Sequence, residues 1–424
     1  MTDTTAVPVF PPPTVTTADR REVADGVHLI PDGGVPLVPN IGIVVGDEAA
    51  LVIDTGLGPA NGERVLAAAR EVAGGRRLFL TTTHYHSEHS MGAQAFRGHA
   101  TFIANRAQRD EQRDTGAQHV GFAASISPVF ADLLADAEFV EPDLVYEREL
   151  ELDLGGRTVR LLHDGPGHTA GDQFVYLPDE GVLFAGDVIE NQLCPVIEHW
   201  SPGGVNAWLD QLDLLGRLNP ATIVPGHGAV GGPDLIGEYR DWFTELRSRT
   251  LAARSAGTPV AEYGPAVIAE LLAQRPGWGN GAFAHLAVES LDAELSRAAD
   301  DRWRTGLETI TGEMGVAPEE ALGLLTTMAG DRAAAQAVNA AGEAWSGRGL
   351  SRRERSLAIL TILAASREPI ERLRPNIRYA LRNGVSARDL DSLASLLFVY
   401  SGTPTGIWTA RTFHEELAAA AASH

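Results

Sequence analysis

The chain has 424 residues, of which 44% are hydrophobic and 21% charged, and its formal net charge is −22. That length exceeds what one hydrophobic core usually supports, so two domains are expected in a globular protein. The acidic balance repels phosphate backbones and anionic lipid, which argues against nucleic-acid or membrane partners, and no apolar run is long enough to span a bilayer.

All 34 basic residues are arginine. Schiff-base and lysine-nucleophile mechanisms are therefore excluded. The single cysteine, Cys194, rules out an internal disulfide and a Cys-rich metal framework. Residues 1–22 pass through Pro11-Pro12-Pro13 and lack the basic start and apolar centre of a signal peptide. They are expected to form a flexible leader, and the compartment is expected to be cytoplasmic.

From Val23 short apolar runs alternate with turns and amphipathic stretches. Val27–Pro31 and Ile41–Val45 look like hairpin strands, and Ala50–Asp54 like a buried strand ending in a carboxylate. Gly62–Val72 has helical spacing, with Val65, Ala68, Ala69 and Val72 on one side. Arg77–Thr83 reads as a strand that runs into a histidine cluster. Residues 104–145 interrupt the scheme: Arg106–Arg113 is polar and helical, and Gly121–Ala135 is helix-like and apolar. This insertion would be a lid, a dimer surface or a plain helical hairpin packed on the sheet. Strand-like runs return at Thr158–His163, Gln173–Leu177, Gly181–Ala185 and Thr222–Val224. Two sheets covered by helices, an α/β sandwich, account for the order. Beyond Leu235 nearly every segment reads as helix, including Tyr239–Ala256, Pro265–Gln274 and Phe283–Glu308. The expected units are 23–234, a helical extension over 235–315, and a helical block over 316–424.

The chemistry concentrates in His84-Tyr85-His86-Ser87-Glu88-His89. Two-residue spacing in a loop lets His84 and His86 converge on one ion, and Glu88 and His89 project from the next turn. A carboxylate beside imidazoles suits zinc or another divalent first-row metal. Three more donors sit at strand ends beside glycine turns: His168 in Gly165–Asp172, Asp187 after Leu183-Phe-Ala-Gly, and His227 in Val224–Gly228. Ser87 and His163 read as structural residues, and Cys194 as packing.

This pattern resembles the metallo-β-lactamase superfamily, with its His-x-His-x-Asp-His signature and distant His, Asp and His, over residues 23–232. Asn40 and Asp54-Thr55-Gly56 match as well. The resemblance implies an αββα sandwich followed here by an all-α C-terminal domain. It implies that His84, His86 and His168 bind one metal, that Glu88, His89 and His227 bind a second, and that Asp187 bridges them. Asp54 would orient a ligand by a hydrogen bond. The nucleophile would be a bridging water made acidic by the ions. Glu88 and Asp187 are the carboxylates expected to take part in catalysis.

The chain departs from the signature at Glu88, where the family has Asp. Its extra methylene can displace the carboxylate by about 1.5 Å. The second metal is then retained but shifted, more weakly held, or replaced by iron or manganese. Two zinc ions are the first expectation. Tyr85, His199 and Trp200 are candidates for substrate contact, with His119 a weaker one.

Trp345, Gly349–Leu357, Tyr379–Leu390 and Tyr400–Pro404 resemble the carboxymuconolactone decarboxylase and alkylhydroperoxidase D-like helical family, over about 316–420. The peroxidase members' Cys-x-x-Cys pair and His fall near Pro369, Arg372 and Asn376, so that redox chemistry is excluded. Glu354, Arg374 and Arg378 are the nearby acid–base candidates. The resemblance implies self-association, hence a homo-oligomer, ahead of a second active site or a regulatory role.

The expected function is metal-dependent hydrolysis of a lactone, thioester or related small acyl substrate. Three alternatives stay open: an iron-dependent oxygenase or redox enzyme, a lyase or cyclase of a specialised pathway, and a non-catalytic oligomeric binding protein.

Overall fold

The computed structural model describes residues 11–197, 203–347 and 349–422. It divides into two compact units, Met1–Glu294 and Leu295–His424.

In the first unit the strands are β1 (Arg21–Ala24), β2 (Val27–Ile30), β3 (Ile41–Val45), β4 (Ala49–Ile53), β5 (Arg77–Thr81), β6 (Ala100–Asn105), β7 (Leu144–Tyr146), β8 (Glu149–Asp153), β9 (Thr158–Leu162), β10 (Phe174–Leu177), β11 (Val182–Gly186) and β12 (Thr222–Pro225). Its helices are α1 (Pro59–Ala73), α2 (Ser87–Ser90), α3 (Arg106–Ile126), α4 (Pro128–Leu134), α5 (Val205–Leu218), α6 (Asp234–Ser255) and α7 (Val260–Ala273); α8 (Ala284–Met314) crosses into the second unit. The strands form a seven-stranded sheet in the order β1 to β7 and a five-stranded sheet ordered β12-β11-β10-β9-β8.

Strand periodicity explains the layers. On β4, Ala50 and Val52 join Ile41, Ile43 and the α1 residues Val65 and Ala69 in one core. Leu51 and Ile53 face the other way, packing with Val159, Leu161, Val175 and Phe184 of the second sheet. Alternate residues thus serve two cores, so β4 is buried throughout. The parallel pairs β4–β5, β5–β6 and β11–β12 bring the C-terminal ends of their strands to one edge, the usual place for a site in such sheets.

Two expectations need correction. The part of the leader from residue 11 on is not loose. Val15 is buried and its N–H donates to Asn61 Oδ1 at 2.9 Å, and β1 begins at Arg21. The insertion is one long helix and one short one. α3 continues through Asp114-Thr115-Gly116 because Gly116 lets the ring of Phe139 close on the helix, where a Cβ would come within 2.6 Å. It stops at Ser127, which caps α4 through a hydrogen bond from Val129 N–H. Phe130 and Leu134 pack with Leu57 and Met91.

The second unit holds α9 (Pro318–Ala329), α10 (Asp331–Ser346), α11 (Arg352–Ala365), α12 (Ile370–Arg382), α13 (Ala387–Tyr400) and α14 (Thr403–Ala422). Leu360, Leu373, Ile377, Leu390, Leu397 and Phe413 form its core. Among the described residues no helix is long and apolar enough to cross a membrane.

Candidate metal centre

β5 delivers the chain to Thr83, whose N–H and hydroxyl both bind Asp54, at 2.7 and 3.0 Å. Asp54 sits at φ +68°, buried, at the end of β4. Its other contact is His89 Nδ1, at 2.9 Å. Thr83 Oγ1 also lies 3.1 Å from His84 Nδ1. One buried carboxylate therefore fixes two successive pieces of the site.

Two of the other imidazoles are held in the same way, while His86 Nδ1 faces His168 Nε2 at 3.1 Å. His168 Nδ1 meets the carbonyl of Val196 at 3.1 Å, and His227 Nδ1 that of Val38 at 2.9 Å. With Nδ1 occupied, Nε2 is left for the centre of the site, an arrangement typical of metal-ligating histidine. The His168 loop is tied by Thr169, whose N–H and hydroxyl bind Asp172, and by Glu111 of α3, which accepts from the amides of Ala170 and Gly171. Asn40 holds the His227 loop by donating to the carbonyls of Pro225 and Gly228. Gly226 is obligatory, since a Cβ there would fall 1.8 Å from Asp187 Oδ1.

The donors gather in two groups, His84, His86 and His168, and Glu88, His89, Asp187 and His227; all are buried, with ligand atoms within 4.8 Å of one another. Ligands about 2.0–2.2 Å from an ion lie at most about 4.4 Å apart, so only slight contraction is needed. Asp187 stands between the groups: Oδ1 is 3.3 Å from His89 Nε2, and Oδ2 is 3.8, 3.9 and 3.7 Å from Nε2 of His84, His168 and His227. His84 Nε2 is buried and makes no hydrogen bond among the described residues, and the buried His89 Nε2 and Asp187 Oδ1 face each other at 3.3 Å outside hydrogen-bond geometry. Unpaired buried polar atoms cost about 1–3 kcal/mol each, and two cations would satisfy all of them. The residues fit a dimetal site.

The electrostatics agree. Burial, with the fields of His89 and His86, drives His84 well below the usual imidazole range, and burial takes His86 down to about 4. Both are neutral and ready to coordinate. Burial opposes ionisation of Glu88, but His119, His89 and His86 outweigh it and hold the carboxyl at about 2. Asp187 is likewise held well below the carboxylate range by His89 and His227 against the cost of burial.

The clusters open into a cavity of about 340 Å³. Its apolar wall includes Val35, Leu37, Phe122, Ile126, Phe130 and Phe283. The inserted helices α3 and α4 thus help line the site, beyond packing on the sheet. His119 of α3 stacks on His86, with ring centroids 3.9 Å apart and an 8° interplanar angle. It takes a more central place than its sequence suggested.

Tyr85 does not belong to the cavity wall. It is fully buried beside His86, and its hydroxyl meets Thr115 Oγ1 at 3.2 Å. His199 and Trp200 lie outside the described residues. His163 binds the carbonyl of Asp172, Ser87 donates to Glu88 Oε2, and Cys194 is buried with its thiol pushed up to about 11 by burial.

Sequence reasoning missed Glu190. It is buried and lines the cavity with Glu88 and Asp187, and its Oε2 has no hydrogen-bond partner. Burial, then Asp187 and Glu88, push its carboxyl well above the usual range. A glutamate three residues past a ligand carries no signal of its own.

In the helical unit Glu354 closes a capping box with Ser351, while Arg374 and Arg378 share the buried Glu416. Asn376 donates to the carbonyl of Arg372 in its own helix. These groups satisfy one another.

Comparisons with known proteins agree with this geometry. The profile of the metallo-beta-lactamase superfamily matches residues 34–227, and that of the carboxymuconolactone decarboxylase family matches residues 332–415. The chain is 30% identical to a type 2 metallo-beta-lactamase of Bacteroides fragilis over 139 residues, 32% of this chain and 56% of that enzyme. It is 31% identical to an acyl-coenzyme A thioesterase of Bos taurus over 214 residues, 46% of this chain and 75% of the thioesterase. A solved metallo-beta-lactamase from Pontibacter korlensis aligns with a TM-score of 0.44 at 19% identity, covering 53% of this chain and 98% of that one. On this sequence kinship and this ligand set, the chain is a metallo-hydrolase belonging to the metallo-beta-lactamase superfamily, with a carboxymuconolactone decarboxylase family region near its C-terminal end.

Proposed function

We propose that the chain hydrolyses a small acyl compound, a lactone, ester or thioester, with two divalent ions, zinc first among them, held in the site. The observation that carries this is the convergence of both donor clusters on one cavity whose remaining wall is mostly apolar. Ions there would supply a water of lowered pKa and polarise a carbonyl. His84, His86 and His168 would hold one ion, and Glu88, His89 and His227 the other, with Asp187 between them. Glu88 keeps its place as a ligand in this reading, because its longer side chain still reaches the second cluster. The apolar wall orients the acyl group and excludes water from the opposite side. The thioesterase relative supports an acyl substrate, and the share of carboxylates among the donors keeps manganese or iron in the test. The second unit is proposed to serve self-association, in keeping with its mutually satisfied interior.

Elemental analysis of the purified protein, with a panel of lactones, esters and thioesters, tests the reading. Two zinc per chain with turnover is the expected result. Asp187→Ala should reduce metal content to one ion or fewer and kcat/KM by about 10³ or more. Full activity in that variant would refute the proposal.

A further inference from the structure

Two carboxyls of the cavity have no part in the hydrolytic reading: Asp32, which accepts from the N–H groups of Gly34 and Gly228, and Glu190. Glu190 stands three residues beyond Asp187 in the loop after β11. Its place in the loop is fixed. The Tyr239 hydroxyl of α6 donates to the Glu190 carbonyl at 2.5 Å and contacts that of Leu193 at 2.9 Å. The flanking Asn191 N–H donates to the carbonyl of His227 at 2.9 Å, and the Asn191 amide to that of Ala229 at 2.7 Å. A loop clamped on both sides cannot turn its buried side chain out to solvent.

Glu190 is 4% exposed and lines the cavity, yet Oε2 meets no donor among the described residues. Native structures rarely bury an acceptor without a partner, so a carboxyl left unpaired beside a cavity is open to a ligand there. Glu190 is not among the donors that gather within 4.8 Å of one another in either cluster, so that ligand is not one of the two ions. Among the described residues no arginine lines the wall, and the chain has no lysine. Apart from its histidines, His119 included, the described wall carries no cationic side chain for a substrate carboxylate or phosphate.

We propose that Glu190 is a substrate-recognition residue: its carboxyl accepts a hydrogen bond from an N–H or O–H group that an uncharged acyl substrate carries beside its reactive carbonyl. This rests on the hydrolase reading above for the position of that carbonyl. The specificity follows from loss: an analogue without the donor leaves a buried acceptor unpaired, which sites of this kind reject strongly.

The probes are phenylacetylglycine methyl ester and its counterpart with CH2 in place of the N–H, together with the non-hydrolysable methyl ketone of each. Calorimetric binding of the ketones to the metal-loaded protein should favour the N–H form by about ten-fold or more. E190L should bring that ratio to about one, and E190Q, which keeps an acceptor, should retain it. Both variants should hold the wild-type metal content. Equal binding of the two ketones by wild type overturns the proposal whether or not a variant folds. So does an unchanged ratio in E190L. Loss of an ion in folded E190L makes Glu190 a ligand and overturns it too. If neither ester turns over while the ketone ratio stands, recognition by Glu190 holds and the hydrolase reading falls.

Discussion

The two units bury polar groups to opposite ends. In the first, His84, His89, Asp187 and Glu190 each keep a buried atom with no hydrogen bond, and all four surround one site. In the second, Glu416 is answered by two arginines, Asn376 by its own helix, and Asn383 by Ser356; among the described residues only Thr409 Oγ1 lacks a partner there. Both units contain buried charge, so burial by itself does not mark chemistry. Several unmet donors and acceptors gathered round one cavity do, whereas the unpaired atoms of Glu180, Trp242 and Thr250 in the same unit stand singly.

The contrast is sharpest under acid. The His86 imidazole is held at about 4 by burial, against 6.5 when exposed. Between those values the unfolded chain binds the extra proton and the folded chain does not. Stability from this group is therefore full above pH 6.5 and drains away as pH falls to about 4. The loss is on the order of 3 kcal/mol. His89 works in the opposite sense, since Asp187 and Asp54 raise it against burial. Denaturant unfolding of metal-free protein from pH 7 to 4, beside His86→Gln, should show a flatter profile in the variant. Equal profiles would remove His86 from the account.

Next in size is Asp54→Asn. It should weaken metal binding about 10- to 100-fold, because His89 loses the carboxylate that orients it. Competition with a chelator measures this, and an unchanged affinity would make Asp54 merely a packing residue. The smallest effect belongs to the helical unit. Glu416→Ala should cost about 1–2 kcal/mol, since Arg374 and Arg378 can turn to water once freed. Metal content should not move. A drop in metal would break the distinction between the units.

The two donor groups were readable in sequence because the chain repeats one device: a buried strand, a glycine-containing turn, then a donor. His168, Asp187 and His227 each follow it. Asp54 was readable for a related reason, closing an apolar strand with a carboxylate. Glu190 was not, because its role depends on a clamp from Tyr239, far along the chain. The direction of Tyr85 was not readable either, since its place between two ligands says nothing about which way the ring turns; the structure turns it inward. The insertion was half legible. Its helical character shows in residue type, but the continuity of α3 depends on Phe139 seating against Gly116, a tertiary fit that propensity does not report.

The Tyr239 contact carries a practical consequence. The family match ends at His227, and a fragment trimmed there would discard the hydroxyl that braces the loop of Glu190. Trp242 and Phe243 of the same helix, both buried, would go with it. For expression or transplantation, a fragment that keeps this loop braced has to include α6 as well as the sandwich.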